Sequence, residues 1–228
     1  MSNLRLVVFD MDGTLIDSQD VIVEVMGRAF RQMDMPAPSA DQTRAIIGLS
    51  LDKAVSTIAP DLSPEEVSAG VAAYRQNFIE IRAESGAEAA APMYPGAKAA
   101  LERLHKQPET LMGVATGKAR RGLEYAYEAH GIGQYFVTHQ TADGHPSKPH
   151  PSMLHQALGD TGVEADHAVM IGDTEFDILM GKAAGFATIG VSWGYHSLDR
   201  IRAAKPDFVI DSYAELDATL EKIWQGEL

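Results

Sequence analysis

The chain has 228 residues, and its 19 Lys and Arg against 32 Asp and Glu give a net charge of −13, which argues against nucleic acid as a partner. Cysteine is absent, which excludes disulfides, thiolate zinc sites and cysteine nucleophiles and favours a cytoplasmic location. With 45% apolar and 22% charged residues, the composition predicts a globular protein, and the length allows one large domain or a domain with a sizeable insertion.

The first predicted element is a buried strand at residues 4–9, which is rich in β-branched and aromatic side chains and is followed abruptly by Asp-Met-Asp-Gly-Thr. This apolar segment is too short for a signal peptide or a membrane span, so we expect no membrane partner. A helix follows at residues 18–35, with apolar positions on one face and Ser18 as its predicted N-cap.

The next segment, residues 39–86, shows helical patterning without a strand-like run, and we predict helices at 42–47, 51–58 and 64–84. Ser63 caps the last of these helices and Pro64 takes its first position. A low-complexity run at 86–92 predicts a hinge.

After Pro95, helices and strands alternate. The predicted helices are 96–106, 118–130, 151–158, 175–184 and 213–224, and the predicted strands are 111–115, 135–138, 168–171, 187–191 and 208–210. Such alternation implies right-handed crossovers and a mostly parallel sheet with helices on both faces. The first strand joins this sheet, so the fold class is α/β and Rossmann-like, with an all-helical insertion after strand 1.

Four polar clusters follow predicted strands, where open α/β sheets bind ligands. In the first, Asp10 and Asp12 are two residues apart and can address one ligand, while Gly13 permits a tight turn. The alternative interpretation is a strand-ending Asx turn. The second cluster offers the Thr116 hydroxyl and a helix start to an anion, although Thr116 could instead be a helix N-cap.

The third cluster holds Lys148 between Ser147 and two prolines. A loop lysine is usually only solvated, but in so acidic a chain a fixed lysine can neutralise a phosphate and a nucleophile. The fourth cluster places Asp173 and Asp177 after an apolar strand, as candidate oxygen ligands for Mg²⁺; the alternative is helix capping, with Asp173 or Thr174 at the N-cap. Four histidines match no familiar zinc signature, so we predict no zinc site at His139, His145, His150 and His155.

In order and spacing, these clusters resemble the four motifs of the haloacid dehalogenase superfamily, and the insertion resembles the helical cap of its subfamily I. The resemblance covers essentially the whole chain and is strongest to phosphoglycolate phosphatases and close relatives. It implies an α/β core at residues 1–16 and 93–228 and a cap at residues 17–92.

The resemblance also implies roles for individual residues. Asp10 would attack phosphorus to form an aspartyl-phosphate, and Asp12 would protonate the leaving alkoxide and then activate water. Thr116 and Lys148 would hold the phosphoryl oxygens. Mg²⁺ would be bound by Asp10, the backbone carbonyl of Asp12, Asp173 and, directly or through a neighbouring group, Asp177. The remaining candidates for binding the phosphate or the substrate are Gly13, Gly117, Arg44, Gly48 and Lys53.

The sequence therefore predicts a Mg²⁺-dependent phosphatase acting on a small phosphorylated metabolite, with 2-phosphoglycolate as the first candidate. Asp12 argues against dehalogenases, which lack it, and against phosphonoacetaldehyde hydrolases, which replace it. One alternative is a sugar phosphomutase of the beta-phosphoglucomutase type, although the residues after Gly48 lack the basic residue usual there. Another is a non-catalytic module that binds a phosphorylated ligand.

Overall fold

A computed structural model describes residues 4–85 and 91–226 of the chain. Its centre is one sheet of six parallel strands in the order β3-β2-β1-β4-β5-β6. The strands are β1 (Arg5–Phe9), β2 (Thr110–Thr116), β3 (Thr138–Thr141), β4 (Ala168–Gly172), β5 (Ala187–Val191) and β6 (Phe208–Ile210). The first strand therefore lies between β2 and β4, where the direction of the strand order reverses.

Ten α-helices accompany the sheet in the described residues. They are α1 (Gln19–Gln32), α2 (Ala40–Arg44), α3 (Leu51–Ile58), α4 (Pro64–Ser85), α5 (Ala97–His105), α6 (Arg120–His130), α7 (Ser152–Thr161), α8 (Glu175–Ala183), α9 (Leu198–Ala203) and α10 (Leu216–Trp224). Among these residues, no helix combines the length and the apolar character needed to span a membrane.

Both faces of the sheet are covered, which explains why its central strands β1 and β4 are apolar almost throughout. In β1, Val7 and Phe9 pack with α5, α6 and α10 on one face, whereas Leu6 and Val8 pack with α7 and α8 on the other. Alternate side chains of a strand point to opposite faces, so a strand buried on both sides needs apolar residues at every position. The α/β prediction is confirmed.

The helices α1 to α4, called the insertion helices below, lie in the chain between β1 and α5. They share an apolar cluster of their own that includes Met26, Phe30, Ile46 and Val55, and α1 packs against α4. Ser39 starts α2 with a capping box, since its side chain accepts from the backbone N–H of Gln42 and the Gln42 side chain accepts in return. That capping box begins α2 earlier than the predicted 42–47.

Two further predictions of secondary structure differ from the structure. The strand predicted at 135–138 lies instead at Thr138–Thr141, because Phe136 packs into the apolar core before pairing with β2 begins. Helix α9 was missed; its start is stabilised by Ser197, whose hydroxyl accepts from the backbone N–H of Arg200 at 3.4 Å. The predicted hinge at 86–92 lies largely outside the described residues, which exclude 86–90.

Candidate active site

Polar side chains from three central strand ends and one loop meet at the carboxyl edge of the sheet. Asp10 directly follows β1, Thr116 ends β2 and Asp173 directly follows β4. Lys148 comes from the loop after β3, and its Nζ lies 2.8 Å from Asp10 Oδ1. The four clusters therefore meet at the carboxyl edge of the sheet, as expected, beside the central strand β1.

Three buried carboxylates form the centre of this site. Oxygens of Asp10, Asp173 and Asp177 lie within 4.8 Å of one another. Lys148 Nζ donates to Asp10 Oδ1 at 2.8 Å and to Asp177 Oδ1 at 2.6 Å. The other oxygen of Asp10, Oδ2, is buried and has no hydrogen-bond partner in the part of the chain that the structure describes. The cluster therefore has three carboxylates against one lysine.

Burial and the excess of carboxylates over lysine shift the pKa values of this cluster. Burial, helped by the neighbouring Asp177 and opposed by Lys148, raises the pKa of Asp10 from 3.8 to about 7. Burial also raises the pKa of Asp173 well above its ordinary value, helped by Asp10 and Asp177. For Lys148, burial lowers the pKa, but the two adjacent carboxylates outweigh it and the net shift is upward.

The carboxylates are held in place by hydrogen bonds. Asp173 accepts from the Thr14 hydroxyl and from the Tyr195 backbone N–H, both at 2.9 Å. Asp177 Oδ2 accepts from the backbone N–H and the hydroxyl of Thr174 at 3.0 and 2.6 Å. The first of these bonds, together with the bond that Thr174 Oγ1 accepts from the Asp177 backbone N–H at 3.4 Å, forms a capping box at the start of α8, so Thr174 is the N-cap, as the capping alternative had it.

Two glycines leave room for Asp173. Gly13 has a φ of +82°, and a Cβ there would lie 2.1 Å from Asp173 Oδ2. A Cβ at Gly194 would lie 2.1 Å from the Cβ of Asp173. A side chain at either position would therefore collide with the acidic cluster.

Asp12 has a different set of partners from Asp10. It accepts from Lys118 Nζ at 2.8 Å and from the Ser18 hydroxyl in a very short hydrogen bond. Ser18 is the N-cap residue of α1, as predicted, but its hydroxyl does not cap the helix and instead donates to the buried Asp12. Sequence reasoning gave Lys118 no role, although its place two residues after Thr116 was an available signal. Tyr195, whose hydroxyl accepts from the Ser18 backbone N–H at 2.7 Å, was also missed.

The second cluster is not a helix cap. Helix α6 begins at Arg120 with Ala119 as its N-cap, so the expected start at residue 118 is two residues early. The Thr116 hydroxyl accepts from the Lys118 backbone N–H at 3.2 Å. At Gly117, a Cβ would lie 2.5 Å from the backbone oxygen of Leu49, so the glycine permits close contact between this loop and the insertion.

A cavity of about 550 Å³ lies between the insertion helices and the carboxyl edge of the sheet. Of the predicted residues, those that line it are Asp10, Asp12, Thr116, Gly117 and Gly48. Two other predicted residues lie away from it. Arg44 bonds to Gln19 and Asp41 at 2.9 and 3.0 Å, and Lys53 is an exposed residue of α3.

Two of the four histidines considered for a zinc site, His139 and His145, take part in separate hydrogen bonds. His139 Nδ1 lies 2.8 Å from the Tyr127 hydroxyl, and His145 lies 2.8 Å from Ser152 Oγ and 2.9 Å from Gln140 Oε1. Within residues 4–85 and 91–226, the one group of three or more possible metal ligands is Asp10, Asp173 and Asp177.

A buried acidic cluster that faces a cavity at the carboxyl edge of a parallel sheet is typical of an α/β enzyme. A family model described as haloacid dehalogenase-like hydrolase matches residues 7–191. The chain belongs to this family, as the sequence motifs indicated.

Relatives match over nearly their whole lengths. The probable phosphatase IndB of Dickeya dadantii is 39% identical over 92% of this chain and 91% of its own. The phosphoglycolate phosphatase of Vibrio parahaemolyticus is 36% identical over 94% of this chain and 95% of its own. Among solved structures, a haloacid dehalogenase-like hydrolase from Streptococcus pneumoniae is similar with a TM-score of 0.81 and 25% identity, covering 96% of this chain and 99% of that one.

Proposed function

We propose that the protein is a Mg²⁺-dependent phosphatase that hydrolyses a small phosphate monoester through an aspartyl-phosphate on Asp10. The observation that carries this proposal is the environment of Asp10. One of its oxygens is held by Lys148, the other is buried and unpartnered within the described residues, and the residue lines the cavity. Relatives named as phosphatases support the same reaction.

The acidic cluster fits a magnesium ion. Mg²⁺ prefers oxygen ligands, and the site offers clustered carboxylates, an unpartnered Asp10 oxygen and an excess of negative charge. Asp10, Asp173 and Asp177, with the backbone carbonyl of Asp12, would hold the ion. When bound, Mg²⁺ would neutralise charge on the transferring phosphoryl group.

In the proposed reaction, the residues of the chain have separate roles. A carboxylate oxygen of Asp10 attacks phosphorus and forms the new O–P bond, while the bond from phosphorus to the leaving alcohol oxygen breaks. Asp12 gives its proton to that leaving oxygen. In the second step, Asp12 takes a proton from a water molecule that attacks phosphorus, which releases phosphate and restores Asp10. Lys148 and Thr116 donate to the phosphoryl oxygens.

If Asp12 is the acid, the loss of kcat on replacing it depends on the leaving group of the substrate. We expect Asp12→Asn to lower kcat for an alkyl phosphate by on the order of 10³-fold, because an alkoxide is a poor leaving group without a proton donor. Cleavage of 4-nitrophenyl phosphate, measured as the burst of 4-nitrophenolate, is expected to slow much less, since that anion leaves without protonation. Equal losses in the two measurements would contradict the role of Asp12 as acid.

The raised pKa of Asp10 predicts a pH dependence of metal binding. Because this pKa is about 7 without metal, the carboxyl carries a proton in mildly acidic solution that Mg²⁺ must displace. We expect the apparent affinity for Mg²⁺, measured by calorimetry, to rise as the pH is raised from about 5 to 7. An affinity that stays constant over this range would contradict the prediction.

The proposed function is tested by measuring phosphate release with Mg²⁺ from a panel of phosphate monoesters. The first compound to test is 2-phosphoglycolate, because several relatives carry that name. Mg²⁺-dependent release that Asp10→Asn abolishes supports the proposal, and equal release by the variant contradicts it. Conversion of a sugar 1-phosphate to a 6-phosphate faster than phosphate release would indicate a mutase. If Asp12→Ala kept the effect that the protein has in the cell, this would indicate a non-catalytic binding module.

A further inference from the structure

The walls of the cavity above Asp10 are mainly apolar and aromatic. Helices α1 and α4 contribute Ile22, Met26, Val71, Tyr74 and Phe78. The rings of Tyr74 and Phe78 are nearly parallel, with an interplanar angle of 13° and a centroid separation of 6.3 Å. A wall of this kind packs well against an apolar or planar group and offers little to a charged one.

The aromatic wall lies close to the leaving-group side of the site. Lys118 Nζ is 2.8 Å from Asp12 Oδ1 and 5.7 Å from the centroid of the Phe78 ring. Phe78 is thus separated from Asp12 by a single ammonium group. Since the proposed mechanism puts the leaving oxygen beside Asp12, the group attached to that oxygen would extend along Phe78.

The charges that line the cavity do not favour an anionic leaving group. Near the sheet, the lining holds Asp10 and Asp12, and Lys118 is already paired with Asp12. The other two lining cations are exposed: Arg75, and Arg121, which bonds to the Tyr125 hydroxyl at 2.6 Å. A carboxylate two carbons from phosphorus would therefore lie near the buried carboxylates of Asp10 and Asp12.

The size of the cavity also favours a larger leaving group than a two-carbon acid. Pockets of about 300–1,000 Å³ bury most of the surface of drug-sized ligands, and this cavity is about 550 Å³. A two-carbon acid would leave most of the apolar wall in contact with water.

We propose that the cavity selects phosphate monoesters whose leaving group carries a planar, mainly apolar ring, in preference to 2-phosphoglycolate. This inference rests on the proposed phosphatase function and names the substrate class for the same site.

Three substrates test this selectivity: ethyl phosphate, 2-phenylethyl phosphate and 2-phosphoglycolate. The first two have leaving alcohols of similar acidity, so the ratio of their kcat/KM values reports what the ring gains in the cavity. We expect 2-phenylethyl phosphate to exceed each of the other two in kcat/KM by on the order of tenfold or more. A kcat/KM for 2-phosphoglycolate equal to or above that of 2-phenylethyl phosphate would overturn the inference.

Variants at Phe78 separate recognition from stability. Phe78→Ala and Phe78→Leu are expected to lower kcat/KM for 2-phenylethyl phosphate by on the order of tenfold and that for ethyl phosphate by a clearly smaller factor. Val67→Ala serves as the control, because Val67 is on the same helix and packs in the apolar cluster of the insertion helices, away from the cavity. Equal losses on both substrates in both Phe78 variants would show a structural role and overturn the inference.

The two proposals fail in different ways. If wild type hydrolyses the esters in a Mg²⁺-dependent manner but without preference for the ring, the substrate class is wrong and the phosphatase function stands. If none of the three esters releases phosphate with Mg²⁺, both the phosphatase function and the substrate class are contradicted.

Discussion

Replacing Asp10 with asparagine is expected to lower kcat for phosphate release by on the order of 10⁴-fold or more, as does loss of a catalytic nucleophile elsewhere. The amide cannot attack phosphorus, and the substitution also removes one of the three clustered carboxylates. The fold is expected to persist, because Lys148 keeps its bond of 2.6 Å to Asp177. Activity is measured by phosphate release, and folding by circular dichroism and denaturant unfolding.

The matched control for this variant is Asp61→Asn. Asp61 is an exposed residue that lies away from the cavity lining, and the substitution makes the same change in charge. We expect it to leave kcat within about twofold of wild type, as for surface substitutions generally. Activity of Asp10→Asn within tenfold of wild type would contradict the role of Asp10 as nucleophile.

Replacing Lys148 with methionine is expected to have the largest effect on stability. Lys148 is fully buried and bonds to both Asp10 and Asp177. Removing one partner of a buried ion pair costs about 3–5 kcal/mol, because the remaining charges stay buried without compensation. We expect a decrease of this size in the free energy of unfolding at pH 8 without metal, together with loss of activity.

The sign of the pH effect provides a further check on Lys148→Met. Without the lysine, the pKa of Asp10 rises beyond its already raised value, and a carboxyl whose pKa is higher in the folded than in the unfolded state loses stability as the pH rises. The destabilisation should therefore be smaller at pH 5 than at pH 8, and Mg²⁺ should reduce it. Lys182→Met, at an exposed residue of α8, is the control. An unchanged free energy of unfolding at pH 8 would contradict the prediction.

The location of the site could be predicted because it depends on rules that hold along the chain. Carboxyl ends of parallel strands share one edge, so Asp10, Thr116 and Asp173 could be expected together once their strands were recognised. Lys148 is 138 residues from Asp10 in sequence and comes from a loop. It was predicted from the two prolines that hold it on a stiff segment, from the acidic composition, in which a fixed lysine can neutralise a phosphate, and from the resemblance to the family motifs.

The individual partners could not be predicted, because they depend on tertiary packing. Ser18 has the sequence context of an N-cap, yet its hydroxyl bonds to Asp12, with which it is buried. Lys118 could equally have been a solvated residue at a helix start, and only its distance to Asp12 shows its place in the site. Arg44 and Lys53 were candidates in the insertion, with Lys53 either a surface or a substrate-steering residue, but the packing of the insertion helices leaves neither of them in the cavity lining.

Capture of the covalent intermediate is the most direct test of the account. Asp12→Asn is mixed with Mg²⁺ and 4-nitrophenyl phosphate, quenched in acid and digested, because this substrate leaves without protonation while the second step lacks its base. Mass spectrometry should detect one phosphoryl group per chain on Asp10, labile to hydroxylamine, and Asp10→Asn treated in the same way should carry none. A burst of 4-nitrophenolate without phosphorylation of Asp10, or with phosphorylation of another residue, would contradict the proposed reaction.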